Sequence, residues 1–345
     1  MENRFTTRLT LNNYGFAGMD ASQLGAIKSV ADFYQIPLTP TRIYGMTGLA
    51  FLHVLDERCI HPNAGPPVPE IYRLARNLGI RIEGIHQFAE GEAFTVLQAE
   101  AWDKARAAVD SNKPVFAKHI AQLDQTSVIT GYDEVGYYID SWHTGYQHSE
   151  DVIPWNLLGL SLCPCVNCLE ERKHSKPRDT TSGIVSLHWA DPVAAGDELF
   201  TFKEAIRFVL RMNEEAVYEE FGQTYFVGSR AYEEWINAIQ HDVVLKFDFA
   251  LVIEVVHEAR SHAKLFLEEM KDQLNMESQK SLEEAIHIYT EISTRTRVLR
   301  DKYPYEQLRV LFSAIEKEEM LTILRELSIL EKKALALLSE IYSVI

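Results

Sequence analysis

No glycine and no proline interrupts residues 244–303. Such a run, rich in Leu, Ile, Val, Ala, Glu and Lys, is compatible with helix throughout. Globular helices seldom exceed about 20 residues, so the stretch predicts long helices that turn back on one another and pack as a bundle. The helical period continues on both sides, with helices expected over 202–219, 229–240, 244–274, 278–303, 305–314 and 317–343, Pro304 breaking between two of them. The last of these is apolar over a wide face that includes Leu324, Leu327, Leu338 and Ile341. That face suits either the core of the bundle or a homodimer through the helical domain.

The first half of the chain obeys a different rule. Leu24, Ile27, Val30, Ala31 and Tyr34 recur at three- and four-residue intervals and predict a buried helix over 21–34, capped by Asp20 or Ser22 and closed by Pro37. A second helix is expected over 69–78, a strand over 80–85 and a third helix over 102–109. Then the period shortens: 114–120, 127–131 and 136–139 are β-prone runs separated by polar residues, and they read as an antiparallel meander with a hairpin at 131–136. One more strand is expected at 183–187. Asp, Pro and Gly gather at 191–198, which places an α+β domain over 1–195 and an all-α helical domain over 196–345.

Charge and composition narrow the function classes. With 46% hydrophobic and 24% charged residues, the chain has the composition of a protein folded along its whole length. Residues 1–11 lack the apolar segment of a secretory signal, and no stretch reaches the roughly 18 apolar residues of a membrane span, so a cytoplasmic protein is expected. A formal net charge of −16 repels phosphate backbones and anionic headgroups, which argues against nucleic acid and membrane as partners. No phosphate-binding loop, nucleophile elbow or dinucleotide fingerprint is present.

The first helix and the segments Pro114-Val115-Phe116, Ser127-Val128-Ile129-Thr130-Gly131-Tyr132-Asp133 and Tyr138-Ile139-Asp140 together resemble papain-like peptidases of the bacteriocin-leader-processing type. The closest resemblance is to the family named for the N-terminal domain of butirosin biosynthesis protein H. It covers residues 12–160, and two segments support it further: Ile43-Tyr44-Gly45-Met46-Thr47-Gly48-Leu49-Ala50-Phe51, and Gly228-Ser229-Arg230-Ala231-Tyr232-Glu233-Glu234-Trp235 in the helical region. The resemblance implies a papain-like (cysteine proteinase) fold with an antiparallel sheet. It implies a cysteine nucleophile at the start of the first helix, a histidine base before the hairpin, and an Asp or Asn orienting that base.

Those positions hold Ser22, Gln125 and Asp140. A serine hydroxyl is un-ionised at neutral pH and the Gln125 amide cannot take its proton, so the three cannot run a thiol mechanism. No cysteine precedes Cys59 and no histidine precedes His53, so a shift of one or two residues restores nothing. The expectation is a non-peptidase that keeps the cleft as a site for a small-molecule or peptide ligand. Two alternatives stand beside it. One is an amide or acyl transferase with a relocated nucleophile, Cys59, served by His61 or His119, with His86 nearby; the plain reading of Cys59 is a small buried hydrophobe. The other is an assembly or regulatory protein that acts through its helices.

Two metal-ligating patterns remain. Cys163, Cys165, Cys168 and His174 could supply four zinc ligands, although Cys163-x-Cys165 is short for joint ligation and lacks a second, distant pair; the alternative is reduced thiols in a loop. Glu254 with His257 and Glu284 with His287 repeat the Glu-x-x-His spacing of di-iron bundles, but both histidines flank the apolar stripes, which favours solvated faces.

Overall fold

The computed structural model describes residues 8–61, 67–122, 125–143, 152–173, 179–305 and 307–345. In chain order its elements begin with β1 (Leu9–Thr10), α1 (Ser22–Phe33), α2 (Pro40–Met46), β2 (Val54–Asp56), α3 (Val68–Asn77) and β3 (Ile80–Glu90). There follow α4 (Gly91–Asp110), β4 (Val115–Lys118), β5 (Thr126–Tyr132), β6 (Gly136–Asp140), β7 (Ile153–Pro154), α5 (Val166–Lys173) and β8 (Ser182–Pro192). The chain ends with α6 (Glu198–Glu215), β9 (Val217–Glu220), β10 (Gln223–Val227), α7 (Ser229–Gln240), α8 (Lys246–Glu269), α9 (Met276–Lys302) and α10 (Ala314–Val344). The architecture is α+β with antiparallel sheets.

Two compact units emerge, and the second is discontinuous in sequence: Met1–Leu38 with Gly79–Ala195, and Thr39–Leu78 with Gly196–Ile345. Thr39–Leu78 thus lies with the C-terminal residues and not in a continuous domain over 1–195.

In the first unit the strand order is β3-β8-β4-β5-β6-β7, with β1 also on β5. Leu24, Ile27, Val30 and Ala31 of α1 are fully buried, and α1 packs on β5. At roughly 1.5–3 kcal/mol for each large aliphatic side chain removed from water, this one face supplies much of the drive to seat the helix. The β5–β6 turn is set by Asp133, whose Oδ1 accepts the N–H groups of Val135 and Gly136. The expected strand at 80–85 runs on to Glu90, because β8 offers it a partner along its whole length.

In the second unit α8 packs on α9, α9 on α10, and α2 on α8. The uninterrupted run is divided at Asn275, whose Oδ1 caps α9 by accepting the Ser278 N–H at 3.0 Å. Gly45 has Phe266 ring atoms 2.1 Å from where a Cβ would stand, so only glycine admits this approach.

An all-α domain does not form. A three-stranded sheet, β2-β10-β9, lies within the second unit. Its hairpin turns at Phe221 and Gly222, both at positive φ (50° and 75°), a two-residue turn whose twist matches antiparallel strands. Tyr218 and Tyr225 face each other across it and stack at 5.1 Å. Helical periodicity masked this because α6 runs up to it, ending only where Ala216 turns left-handed. The helix expected over 305–314 is also absent: residues 307–313 are non-helical, and Glu306 lies outside the described residues. The Val310 carbonyl is used instead to accept the Lys246 N–H at the start of α8, and Ser313 with Glu316 forms a capping box that starts α10 afresh. Among the described residues no helix is long and apolar enough to cross a membrane.

Candidate functional site

The clustered thiols converge on a histidine that local spacing did not select. Cys163 follows β7, Cys165 precedes α5, and Cys168 lies in its first turn. His143 comes from the segment just after β6, and its ring reaches the thiols of Cys165 and Cys168. The four ligand atoms lie within 4.8 Å of one another and every residue is buried. His143 Nε2 is 3.1 Å from Cys168 Sγ and 4.0 Å from Cys165 Sγ. A tetrahedral centre with bonds of about 2.3 Å to sulfur and 2.0 Å to nitrogen needs its ligand atoms about 3.5–3.8 Å apart, so small side-chain shifts complete it.

Two backbone N–H groups point at sulfur here. Cys165 N–H points at Cys163 Sγ (3.4 Å), and Cys168 N–H at Cys165 Sγ (3.3 Å), which makes Cys165 an N-cap acceptor for α5. Arg172 donates to the Cys163 carbonyl. Burial pushes the Cys163 thiol up, and the neighbouring Cys168 and Cys165 thiols push the same way against the pull of the Cys165 N–H. Three thiolates packed this closely require a cation. Gln122 Nε2 lies 3.0 Å from His143 Nδ1; a half-turn of the amide would set its oxygen there instead, to accept Nδ1–H and leave the Nε2 lone pair facing the sulfurs. The group could hold a metal ion. His174, the ligand expected from spacing, lies outside the described residues, and His143 was missed because its nearness to the cysteines is created by the sheet, not by the chain.

The second candidate region is the N-terminal end of α1. Ser22 Oγ accepts the Thr126 N–H at 3.0 Å, next in sequence to Gln125. Asp140 is engaged elsewhere: its Oδ2 accepts the Phe16 N–H at 2.8 Å, and a Cβ at Gly15 would stand 3.2 Å from it. Trp142 Nε1 donates to the Met19 carbonyl at 2.6 Å and its ring meets Phe16 edge-on. Three buried polar atoms here have no hydrogen-bond partner among the described residues: Gln23 Nε2, Gln125 Oε1 and Thr126 Oγ1. Farther along the sheet His86 Nδ1 lies 3.0 Å from Ser186 Oγ, which lies 3.4 Å from His188 Nε2. His119, at φ 55°, gives its carbonyl to the N–H groups of Gly159 and Ser161.

Cys59 and His61 belong to the second unit, whereas His119 belongs to the first. Burial pushes the Cys59 thiol up to about 12, with the Asp56 and Glu234 carboxylates adding to it, so it is a poor nucleophile. His61 is taken by Asp56: Nδ1 lies 3.2 Å from Oδ2. Burial would raise Asp56, but hydrogen bonds from the His61 side chain and the backbone N–H groups of His61 and Ile60 hold it at about 2.

The second unit has its own buried polar cluster. Arg260 pairs with Glu331 and donates from Nη1 to the carbonyls of Ala50 (2.8 Å) and Leu52 (3.2 Å). Tyr232 OH donates to Glu331 at 3.3 Å. His53 sits against the rings of Tyr232 and Trp235, with neither ring nitrogen hydrogen-bonded among the described residues. Burial, then Arg260, lowers it to about 3. The Glu-x-x-His pairs do not converge: His257 is buried against Thr296, His287 is exposed beside Glu291, and among the described residues only the thiol group gathers three or more metal-ligating side chains. A shallow depression lined by Gln87, Ala89, Glu92, Val96 and Glu100 shares no residue with any of these clusters. Compared with known proteins, the chain matches no protein-family model and no curated protein.

Proposed function

We propose that the protein is a non-peptidase of papain-like fold that binds a small molecule or peptide at the N-terminal end of α1, and that His143, Cys163, Cys165 and Cys168 hold a structural zinc ion. The observation that carries the binding reading is hydrogen-bonding capacity around Ser22 that no described residue meets. Gln23 Nε2 is a donor and Gln125 Oε1 an acceptor, each one residue from the Ser22–Thr126 contact. Buried polar groups are nearly always paired, so this donor and acceptor call for a ligand that carries both, such as an amide. Ser22 and Gln125 offer such a ligand hydrogen bonds and no thiolate or imidazole.

The transferase reading needs an activated nucleophile, and Cys59, held neutral well above physiological pH, does not supply one. Zinc is favoured over harder cations by three sulfurs and an imidazole, and four protein donors leave no open position for catalysis.

The test is thermal denaturation of the full-length chain against a panel of amino-acid amides and short peptides. A binding member raises the midpoint of wild type and of Cys59→Ala, and loses most of its effect on Gln23→Leu and Gln125→Leu. Hydrolysis or acyl transfer that disappears in Cys59→Ala would overturn the reading. Metal analysis of the purified protein should find about one equivalent of zinc.

A further inference from the structure

The thiol–histidine cluster and the α1 end share a strand. Asp140 ends β6, Trp142 follows, and His143 comes next. Their side chains serve two different neighbours. Asp140 Oδ2 takes the Phe16 N–H (2.8 Å) and Trp142 Nε1 gives to the Met19 carbonyl (2.6 Å), so both fasten the segment that leads into α1. His143 points the other way, toward the thiols, with its own N–H held by Ser141 Oγ at 3.1 Å. The β4–β5 connection is tied in as well. Gln122 meets His143 Nδ1, and the Ala121 carbonyl accepts the Cys163 N–H at 3.2 Å. That connection runs on to Gln125, whose open Oε1 is half of the donor and acceptor pair. The cluster therefore gathers both chain segments that deliver Gln125 and Asp140.

We infer that metal binding by His143, Cys163, Cys165 and Cys168 sets the α1 ligand site, with Trp142 as the positioning residue that transmits it. This rests on the zinc and ligand-site reading above. A metal bond to Nε2 fixes the imidazole in direction and depth, and His143 adjoins Trp142 in sequence, so the indole's hold on Met19 follows the metal. Without the ion the buried sulfurs and the ring keep only weak mutual contacts, and the loops at 119–122 and 140–143 lose their common anchor. The site then loses the spacing between Gln23, on α1, and Gln125, on the loop.

The experiment uses the full chain labelled with fluorotryptophan, the Trp142 resonance being assigned through Trp142→Phe. Zinc is withdrawn with a chelator and restored with zinc salt. The expected result is a reversible shift of the Trp142 resonance in step with zinc content, and the same shifted resonance in His143→Ala, which purifies without zinc. Should His143→Ala fail to fold, the chelator titration of wild type gives the same readout. Zinc that leaves while the Trp142 resonance stays in place overturns the inference and leaves the metal site standing. Protein that purifies without zinc and takes up none brings down the metal reading itself.

Discussion

Two buried polar clusters, one in each unit, solve the same problem in opposite ways. Around His53, donors and acceptors interlock: the Arg260 guanidinium meets the Glu331 carboxylate and two carbonyls, and aromatic rings enclose the imidazole. Around His143 the converging atoms are of one kind, three sulfurs and a ring nitrogen, all lone-pair bearers once ionised. The first arrangement neutralises its charge internally, while both His53 ring nitrogens and Arg260 Nη2 have no hydrogen-bond partner among the described residues. The second is a set of donors that could hold a metal ion. Polarity and burial are common to both, so neither property alone marks a site; what separates them is whether the groups can neutralise one another.

The largest effect that would sharpen the contrast is expected in the charge-paired cluster. Glu331→Gln leaves the buried Arg260 charge uncompensated and should cost about 3–5 kcal/mol in urea denaturation, while the double replacement Arg260→Met with Glu331→Leu should recover most of it. Zinc content should stay that of wild type in both. Zinc lost from either variant would break the separation drawn here.

Next in size is the response to acid. The folded His53 pKa of about 3 lies below its ordinary 6.5, so between these values the unfolded chain holds a proton that the folded chain refuses. The stability this group contributes is whole above pH 6.5 and is lost as pH falls toward 3, at about 1.4 kcal/mol per pH unit where the slope is full. His188, lowered to about 3, and His257, lowered to about 4, act in the same direction. His53→Phe should keep the ring packing and flatten this acid limb, as read from unfolding midpoints at pH 4.5 and 7. An unchanged slope would mean that the imidazole is hydrated in the folded state.

The smallest effect concerns the solitary thiol. Cys59, 1% exposed, behaves as a small hydrophobe, and Cys59→Ala should cost about 1 kcal/mol without altering zinc stoichiometry. A change in bound zinc would place Cys59 with the other three cysteines.

Much of the fold was legible wherever local period and punctuation agree. α1, α3, β4 to β6 and the α8–α9 break fall within a few residues of their expected bounds, because an apolar stripe or an alternating run was closed by Pro, Gly or a capping side chain. The β9–β10 hairpin was legible in principle: Phe221-Gly222 between Tyr218 and Tyr225 is a turn signal, overridden by the helical pattern on either side. α2 carries its own start signal in Thr39 and Pro40, an N-cap followed by proline at the first helical position. Of the candidate sites, the three cysteines stood out by proximity. His143 did not, since the neighbourhood that unites it with them depends on β6 ending beside the β7–α5 connection. Likewise the union of Thr39–Leu78 with Gly196–Ile345 depends on partners that follow only after a whole intervening unit.

That split unit has a consequence for how the protein is made. Ile43, Tyr44, Leu49 and Val54 are almost wholly buried in the finished protein, but α2 packs on α6 and α8, and β2 pairs with β10. Synthesis at about 5–20 residues per second delivers all of Gly79–Ala195 before any of those partners emerges. For that interval the nascent chain carries an apolar segment with nothing to cover it, beside a first unit already free to fold. The order of translation thus leaves Thr39–Leu78 open to holdase capture and to premature aggregation, and slow elongation through Gly79–Ala195 would lengthen the exposure.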